Sequence, residues 1–370
     1  MGNTRVATAD IATAAFANPA MLAFQPMRED FSLLIGVGGF LRDDEGVVDL
    51  VDQFQGEYDK YTAAVSAGDP VGAYAAAIAA AGVGEQLENK ILAPEATAAF
   101  ATGFSGEKWS FAVSARADVV SAGTVTNVTT VSEVTANPTV IEDPTRNLLE
   151  VEGVLTTELG VSLARNFQVF GQKVSVGVTP KYVKIDNVYI RESIATIDTD
   201  LGSLLNEDNK NDLGDYTTFD VGLVLGLSEH VQVGLVASNL VAHKVKFTTS
   251  SGIDSTLSFD TQARAGIAYR SRFMTLGADV DLLDNEPLLS NPDFQGLKTR
   301  YVSAGAEFNA FDFAQLRVGI QKNIATGINE GAKENLLTAG VGFWFGFNLD
   351  VSVIKTSDSL GGFLQTGVRF

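Results

Sequence analysis

Hydrophobic and polar residues alternate one by one along most of the chain after about residue 95, a period of two that is typical of β-strands with two unlike faces. Four segments show the alternation most clearly, at residues 109–119, 274–282, 301–308 and 314–321. In each of them one face is apolar and the other carries mainly glycine, hydroxyl or charged side chains. The pattern predicts strands that border an apolar medium on one side and a polar interior on the other.

The same pattern extends to about fourteen segments, and the connections between them alternate between short and long. The strands are predicted near residues 30–41, 95–104, 108–120, 150–164, 172–190, 216–227, 231–248, 257–270, 273–284, 299–309, 312–322, 335–346, 347–357 and 362–370. Short connections fall at Gly106, 166–171, 228–230, Ser271, Ala310 and Gly346, and long ones at 42–94, 121–149, 191–215, 285–298, 323–334 and 358–361. Outer-membrane barrels join antiparallel strands by short periplasmic turns and longer extracellular loops.

No run of eighteen or more apolar residues exists, so the sequence does not predict a membrane-spanning helix. A closed barrel is the other structure that satisfies every backbone hydrogen bond within a bilayer. The predicted fold class is therefore all-β, a transmembrane antiparallel β-barrel of about fourteen strands. A composition that is 45% hydrophobic, with a mean hydropathy of only +0.13, fits elements that are apolar on one face.

The connection 42–94 is predicted to be helical, because its apolar residues, among them Leu50, Phe54 and Tyr61, recur at helical spacing. Asp69 before Pro70 supplies the N-cap and the first-turn proline that start a second helix. We therefore expect a helical extracellular insertion between strands one and two. Two arrangements stay open for it, an external cap packed on itself and a lid over the pore mouth.

Glycines recur on the face assigned to the lumen, where a glycine often marks a place at which another backbone or a ligand comes close. Their register predicts that something fills the barrel. The positions are Gly160, Gly177, Gly222, Gly226, Gly234, Gly266, Gly277, Gly305, Gly319, Gly340, Gly342 and Gly367.

Charged residues of both signs are also assigned to the lumen. We expect them to pair with one another across the interior, and the alternative is that they hold the anionic head group of a ligand. The set is Arg116, Asp118, Lys181, Arg264, Asp279, Glu307 and Arg317.

The formal net charge of −19 argues against a nucleic-acid partner, which needs concentrated Lys and Arg. With no cysteine and only His230 and His243, the chain is predicted to have no catalytic constellation, no metal site and no cofactor. Met1 is followed at once by Gly2 and Asn3 without an apolar stretch, so we expect the signal peptide to be absent from this sequence. The oligomeric state is left open.

Residues 9–22, with the sequence ADIATAAFANPAML, resemble the N-terminal segment of the long-chain fatty-acid transporter (FadL-like) superfamily of outer-membrane proteins. The matching positions are Gly2-Asn3, Asp10 and Asn18-Pro19-Ala20. The resemblance implies that residues 2–25 form a small hatch inside a barrel made by residues 26–370. Two further stretches, 52–54 and 176–182, resemble the conjugal-transfer TraF-type branch of the superfamily.

The resemblance implies a channel for passive uptake of small hydrophobic or amphipathic molecules across the bacterial outer membrane, surrounded by lipid and lipopolysaccharide. Sideways release through a gap at the third strand is not expected, because the candidate strand irregularities, Pro180 and Asn239, lie in other strands. The last strand, which ends at Phe370, resembles the signal read by the outer-membrane assembly machinery. The alternative is a structural or interaction barrel, for surface assembly, adhesion or conjugation, that transports nothing.

Overall fold

The structure is a computed structural model that describes residues 1–24, 30–43, 45–197, 210–249, 252, 254–286, 289–290, 298–311, 313–326, 335–356 and 359–369. Phe370 and its predicted role lie outside these residues, as does Gln25, the last residue predicted for the hatch.

The architecture is a closed barrel of fourteen antiparallel strands, which confirms the predicted fold class. Each strand pairs with its neighbours in the barrel, and β1 closes the ring by pairing with β17 from Ser32↔Arg369 to Arg42↔Ser359. The barrel strands are β1 (Phe31–Arg42), β2 (Ile91–Ser105), β3 (Trp109–Thr126), β4 (Leu148–Val169), β5 (Gln172–Ser193), β6 (Lys210–Gly226), β7 (Val231–Ser238), β10 (Gln262–Arg270), β11 (Met274–Asp281), β13 (Tyr301–Phe311), β14 (Ala314–Asn323), β15 (Asn335–Trp344), β16 (Asn348–Lys355) and β17 (Ser359–Arg369).

Two predicted barrel strands, 231–248 and 257–270, are each divided in the structure. The backbone of Asn239 has φ +52°, a left-handed conformation that ends β7 at Ser238. The chain then forms β8 (His243–Thr248) and β9 (Asp254–Phe259), which join β12 (Leu289–Ser290) in a separate three-stranded sheet. The prediction was wrong here because β8 and β9 have a period of two as well.

The turn predicted at 166–171 is also shorter than expected. The strands β4 and β5 continue to Val169 and from Gln172, so only Phe170 and Gly171 connect them. Both have positive φ angles, +51° and +80°, as a two-residue hairpin turn of the I′ type requires.

The alternation places apolar side chains on the outside of the wall and polar ones inside, as predicted. On β4, Val161 is 57% exposed, whereas its neighbour Ser162 is fully buried. Exposed aromatic side chains cluster at the short turns, among them Phe104, Trp109, Phe273, Phe313 and Phe345. Such aromatic girdles lie at the membrane–water interface of outer-membrane barrels. No helix among the described residues is long and apolar enough to span a bilayer.

The helices are α1 (Ile11–Ala17), α2 (Val47–Ala67), α3 (Pro70–Leu87) and α4 (Val131–Ala136), with 3₁₀ helices at Pro19–Ala23 and Pro138–Glu142. As the sequence predicts, Asp69 caps α3, accepting hydrogen bonds from the backbone N–H groups of Val71 (3.2 Å) and Gly72 (3.0 Å).

The helices α2 and α3, together called the helical hairpin, pack against the outer side of the wall rather than across the pore mouth. The strands β3 to β6 have 17 to 22 residues, more than the roughly 9–11 that span a membrane, so they extend beyond it. On this extension the hairpin buries Val119, Val151 and Ile190, which share the strand face of the lipid-exposed residues below. These contacts therefore do not make the hairpin a lid over the pore mouth. The hairpin is an external cap, and it packs on the wall as well as on itself.

The β8–β9 hairpin packs on the opposite, inner side of the same extension. Leu257 and Phe259 are buried there against Val183, Ile185 and Tyr216, whose side chains point toward the barrel axis. The helical hairpin and the β8–β9 hairpin thus pack on opposite sides of the same part of the wall.

Candidate functional site

The first 24 residues, called the hatch, lie inside the barrel. Ile11, Ala14, Met21 and Leu22 are fully buried in this segment, in contact with the inner faces of strands on several sides of the barrel. A segment of this size inside the ring occupies space that a ligand or water would need.

Two predicted hatch residues shape its local fold. Asp10 caps α1, since its carboxylate accepts from the N–H of Thr13 (2.9 Å) while the hydroxyl of Thr13 accepts from the N–H of Asp10 (3.0 Å). Asn18 caps the next 3₁₀ helix through the N–H of Ala20 (3.1 Å), with Pro19 at its first position. The amide of Asn18 also donates to the carbonyl of Val6 (2.8 Å), which ties the second half of the hatch to its first.

The lumenal glycines give the hatch its seat. A Cβ at Gly177 would lie 2.5 Å from the backbone N of Ala20, so only glycine fits there. A Cβ at Gly277 would lie 2.8 Å from Thr8 Cγ2, so the methyl group of Thr8 would have to move. Eight of the twelve glycines singled out from the sequence approach hatch atoms in this way: Gly177, Gly222, Gly226, Gly234, Gly266, Gly277, Gly305 and Gly319. The other four, Gly160, Gly340, Gly342 and Gly367, face side chains or backbone of the wall itself.

Hydrogen bonds from the wall hold the hatch backbone. The buried carboxylate of Asp279 accepts from two consecutive N–H groups, those of Arg5 (2.7 Å) and Val6 (3.0 Å). The hydroxyl of Ser175 donates to the carbonyl of Ala20 at 2.7 Å. Further bonds come from Gln232 to Ala7, Arg270 to Thr8 and Ala9, Ser105 to Leu22, and Asn166 to Ala23.

Except for Asp279, which binds the hatch backbone, the predicted lumenal charges form ion pairs. Arg116 contacts Asp118 (2.7 Å) and Glu158 (3.2 Å), and Lys181 contacts Glu158 (3.7 Å) and Asp220 (3.1 Å), so one chain of charges crosses β3 to β6.

A second group lies on the far side of the lumen. Arg264 pairs with Asp281 (2.5 Å), and Arg317 pairs with Glu307 (2.7 Å) and with Asp350. Every cation of the predicted set therefore has a carboxylate partner. The sequence reasoning missed the partners Glu158, Asp220, Asp281 and Asp350, although each lies at an inward position of its strand.

A cavity of ≈ 30 Å³ lies between the hatch and strands β7, β10 and β11. Its lining includes Arg5 and Phe16 from the hatch and Arg264 and Asp281 from the wall. This volume suits about one water molecule rather than an organic ligand.

Both candidate irregularities mark interruptions of strand pairing. In the β4–β5 ladder the two residue pairs between Gly160↔Lys181 and Leu163↔Val178 are missing. Pro180 lies in this gap and has no N–H to donate. The register is the same on both sides of the gap. Asn239 ends β7, and its side-chain oxygen accepts from Lys181 (3.1 Å). The sequence reasoning missed Pro94, where the β2–β3 ladder is interrupted in the same way.

The two histidines take part in structural contacts. Nδ1 of His230 lies 2.9 Å from the carbonyl oxygen of Arg270, and the ring of His243 stacks on Tyr216 with centroids 4.5 Å apart. Within the described residues no cluster of metal-ligating side chains occurs. That the protein is not an enzyme stays a prediction.

Comparisons with known proteins support the barrel fold. The model of the family described as "F plasmid transfer operon, TraF, protein" matches residues 15–281. No curated protein matches the chain in sequence. Among solved structures, the toluene transporter TbuX of Ralstonia pickettii is similar with a TM-score of 0.55 at 13% identity, over 100% of this chain and 96% of that one. The toluene transporter TodX of Pseudomonas putida is similar with a TM-score of 0.56 at 10% identity, over 100% and 97%.

Proposed function

Because the chain belongs to the family of F plasmid transfer operon TraF proteins, and because its barrel resembles those of two toluene transporters, we propose that it is a passive outer-membrane channel for small hydrophobic or amphipathic molecules. In this proposal the hatch closes the lumen at rest and shifts to let a molecule pass. The observation that carries the proposal is the surface on which the hatch lies, where the wall offers mainly glycines, small side chains and hydrogen-bonding groups.

An apolar patch in the upper lumen supports the hydrophobic class of substrate. It is formed by inward, half-buried side chains on four neighbouring strands, Leu336, Ile354, Phe363 and Phe40. The ring of Phe363 lies directly over Gly36 and Gly38. A hydrophobic molecule that enters from the extracellular side would meet this patch before the hatch.

The alternative is an interaction barrel, and the family description is the observation that favours it. A protein of conjugation would bind partners through its extracellular surface. The helical hairpin, residues 47–87, forms part of that surface. Such a protein would need no movement of the hatch.

The two proposals predict different results when a disulfide fixes the hatch to the wall, because only the channel needs the hatch to move. The chain has no cysteine, so Thr4→Cys with Gly277→Cys introduces the only thiols, with the Cβ atoms 3.1 Å apart. Gly340→Cys with Ser352→Cys is the matched control, also at 3.1 Å but within the wall. Both distances are slightly below the roughly 3.5–4.5 Å of natural disulfides, so both pairs need a small adjustment. Thr8→Ser accompanies both pairs, because it removes the methyl group that lies 2.8 Å from a Cβ at Gly277.

The measurement is the initial rate of toluene uptake by Gram-negative cells that express each pair. We expect oxidation to abolish the uptake of the hatch pair, reductant to restore it, and the control pair to be unaffected. Equal uptake by the oxidised and reduced hatch pair would reject passage past the hatch.

A further inference from the structure

Arg165 lies on the lipid-facing surface near the short turns. Arg165 is paired in register with Trp109 of β3 and with Val176 of β5, and these outward neighbours are 52% and 42% exposed. Its guanidinium carbon lies 4.8 Å from the ring centroid of Trp109 and 5.0 Å from that of Phe167. The cation is thus held between two aromatic rings on the outside of the barrel, at the end where outer-membrane barrels meet the periplasmic leaflet.

The charge of Arg165 has no counterpart among the residues that the structure describes. Among the described residues no carboxylate lies within ion-pair distance of it, and its Nε is buried without a hydrogen-bond partner. The adjoining turn carries one charge of each sign, Glu107 and Lys108, which cancel. Every cation of the predicted lumenal set has a carboxylate partner, so the lack of one at Arg165 is a property of this surface.

We propose that Arg165, Trp109 and Phe167 form a binding site for the phosphate of an anionic glycerophospholipid in the periplasmic leaflet. Guanidinium binds phosphate through two parallel N–H groups, and stacking on aromatic rings leaves its edge free to do so. The occupant is a lipid because the site opens onto the outer wall, where the acyl chains would lie along Leu163 and Val161, 44% and 57% exposed. An arginine at a membrane interface reaches toward charged head groups in the same way.

Phosphatidylglycerol binding to the full chain in detergent, followed by native mass spectrometry, tests the site. We expect Arg165→Gln to bind phosphatidylglycerol roughly tenfold more weakly, because one charge-assisted hydrogen bond is lost. Arg165→Lys, which keeps the charge but not the planar fork, should fall between the two. The control is Lys322→Gln, an exposed lysine on the outward face of β14 near its extracellular end, which should bind as the wild type does.

A spectroscopic readout separates binding at this site from binding elsewhere. The chain has two tryptophans, so Trp344→Phe leaves Trp109 as the only indole. Phosphatidylglycerol should shift the emission of Trp109 when Arg165 is present and leave it unchanged in Arg165→Gln. The proposal fails if Arg165→Gln keeps wild-type affinity, if Lys322→Gln loses as much, or if Arg165→Gln weakens binding of lipopolysaccharide instead. A gel mobility that changes on heating, as it does for the wild type, would establish that each variant barrel is folded.

Discussion

The hatch and the helical hairpin both pack against the wall of the barrel, but they are attached in different ways. The hairpin buries whole aromatic rings, those of Phe54 and Tyr61, against outward valine, leucine and isoleucine side chains. The hatch also buries apolar residues, but the wall offers it glycines and hydrogen-bonding groups such as Asp279. Water or a ligand can replace hydrogen bonds at a small net cost, whereas exposing buried apolar area is expensive. The hairpin is therefore attached mainly by apolar packing, and the hatch has the weaker attachment that its proposed movement requires.

The largest effect is expected in the hairpin. Phe54 is completely buried, so Phe54→Ala should lower the free energy of unfolding of the hairpin by about 3–5 kcal/mol. Hydrogen exchange of α2 and α3 would measure the loss, and the barrel strands should keep their protection. Val65→Ala, on the same helix but 49% exposed, is the control and should change little. A hairpin that stays protected without Phe54 would contradict its attachment by apolar packing.

The next effect concerns the glycine seat. Gly177→Ala forces a Cβ against the backbone of Pro19 and Ala20, and overpacking of this kind costs about 1–3 kcal/mol. We expect the hatch to loosen and the conductance in planar bilayers to rise. At Gly362 the nearest atom to an added Cβ is 3.8 Å away, so Gly362→Ala should conduct as the wild type does. Equal conductance of both variants would show that the hatch does not depend on this contact.

A smaller effect is expected from the polar bonds of the hatch. Asp279→Asn keeps an acceptor oxygen but removes the charge, so the bonds to the amides of Arg5 and Val6 should weaken by about 1 kcal/mol. Faster hydrogen exchange of these two amides is the measurement. Asp118→Asn removes a lumenal charge that pairs with Arg116, and it should leave the two amides unchanged. If both variants act alike, the general charge of the lumen holds the hatch rather than Asp279.

The smallest effect is a pH dependence beside the helical hairpin. Thr130 caps α4 and Glu133 completes the capping box; hydrogen bonds from the Thr130 backbone and from Arg146 hold the pKa of the Glu133 carboxyl below the usual range. A carboxyl with a depressed pKa stabilises the fold above its unfolded pKa, and this stability is lost as the pH falls through the folded pKa. The protection factors of the α4 amides, which correct exchange for its own pH dependence, should therefore fall on acidification below about pH 4.5, the ordinary value, and Glu133→Gln should abolish that change.

The helical hairpin contains a group whose pKa is raised rather than lowered. Burial, together with the hydrogen bond from its hydroxyl to Glu142 (2.7 Å), raises the pKa of Tyr61 to about 12. Tyr61 therefore stays neutral throughout the acid titration of Glu133, and the two groups do not interfere in that experiment.

Much of the barrel could be predicted because a membrane wall imposes the same rule at every residue. Lipid on one side and a polar lumen on the other give a period of two, and each barrel strand from β11 to β17 was found with its faces correctly assigned. The lumenal position of Gly177, Gly222 and Gly277 followed from that register, and the structure brings hatch atoms against all three.

The positions of the loop insertions could not be predicted, because their apolar residues do not reveal which surface they cover. The apolar spacing of α2 indicates a buried face but not that its partner is the outer side of β3 to β5. The sheet of β8 and β9 alternates like a barrel strand, since it also has one buried face, formed by Leu257 and Phe259. Ion pairs such as Lys181 with Asp220 depend on distances across the lumen, which a sequence does not contain.

The conductance of a chain that lacks residues 2–24, compared with the intact chain in planar bilayers, tests the central claim most directly. If the hatch fills the lumen, the intact chain should be nearly silent and the shortened chain should show large, steady current steps. Heat-dependent gel mobility would establish that the shortened barrel is folded. Equal currents from the two folded chains would contradict the claim that residues 1–24 close this barrel.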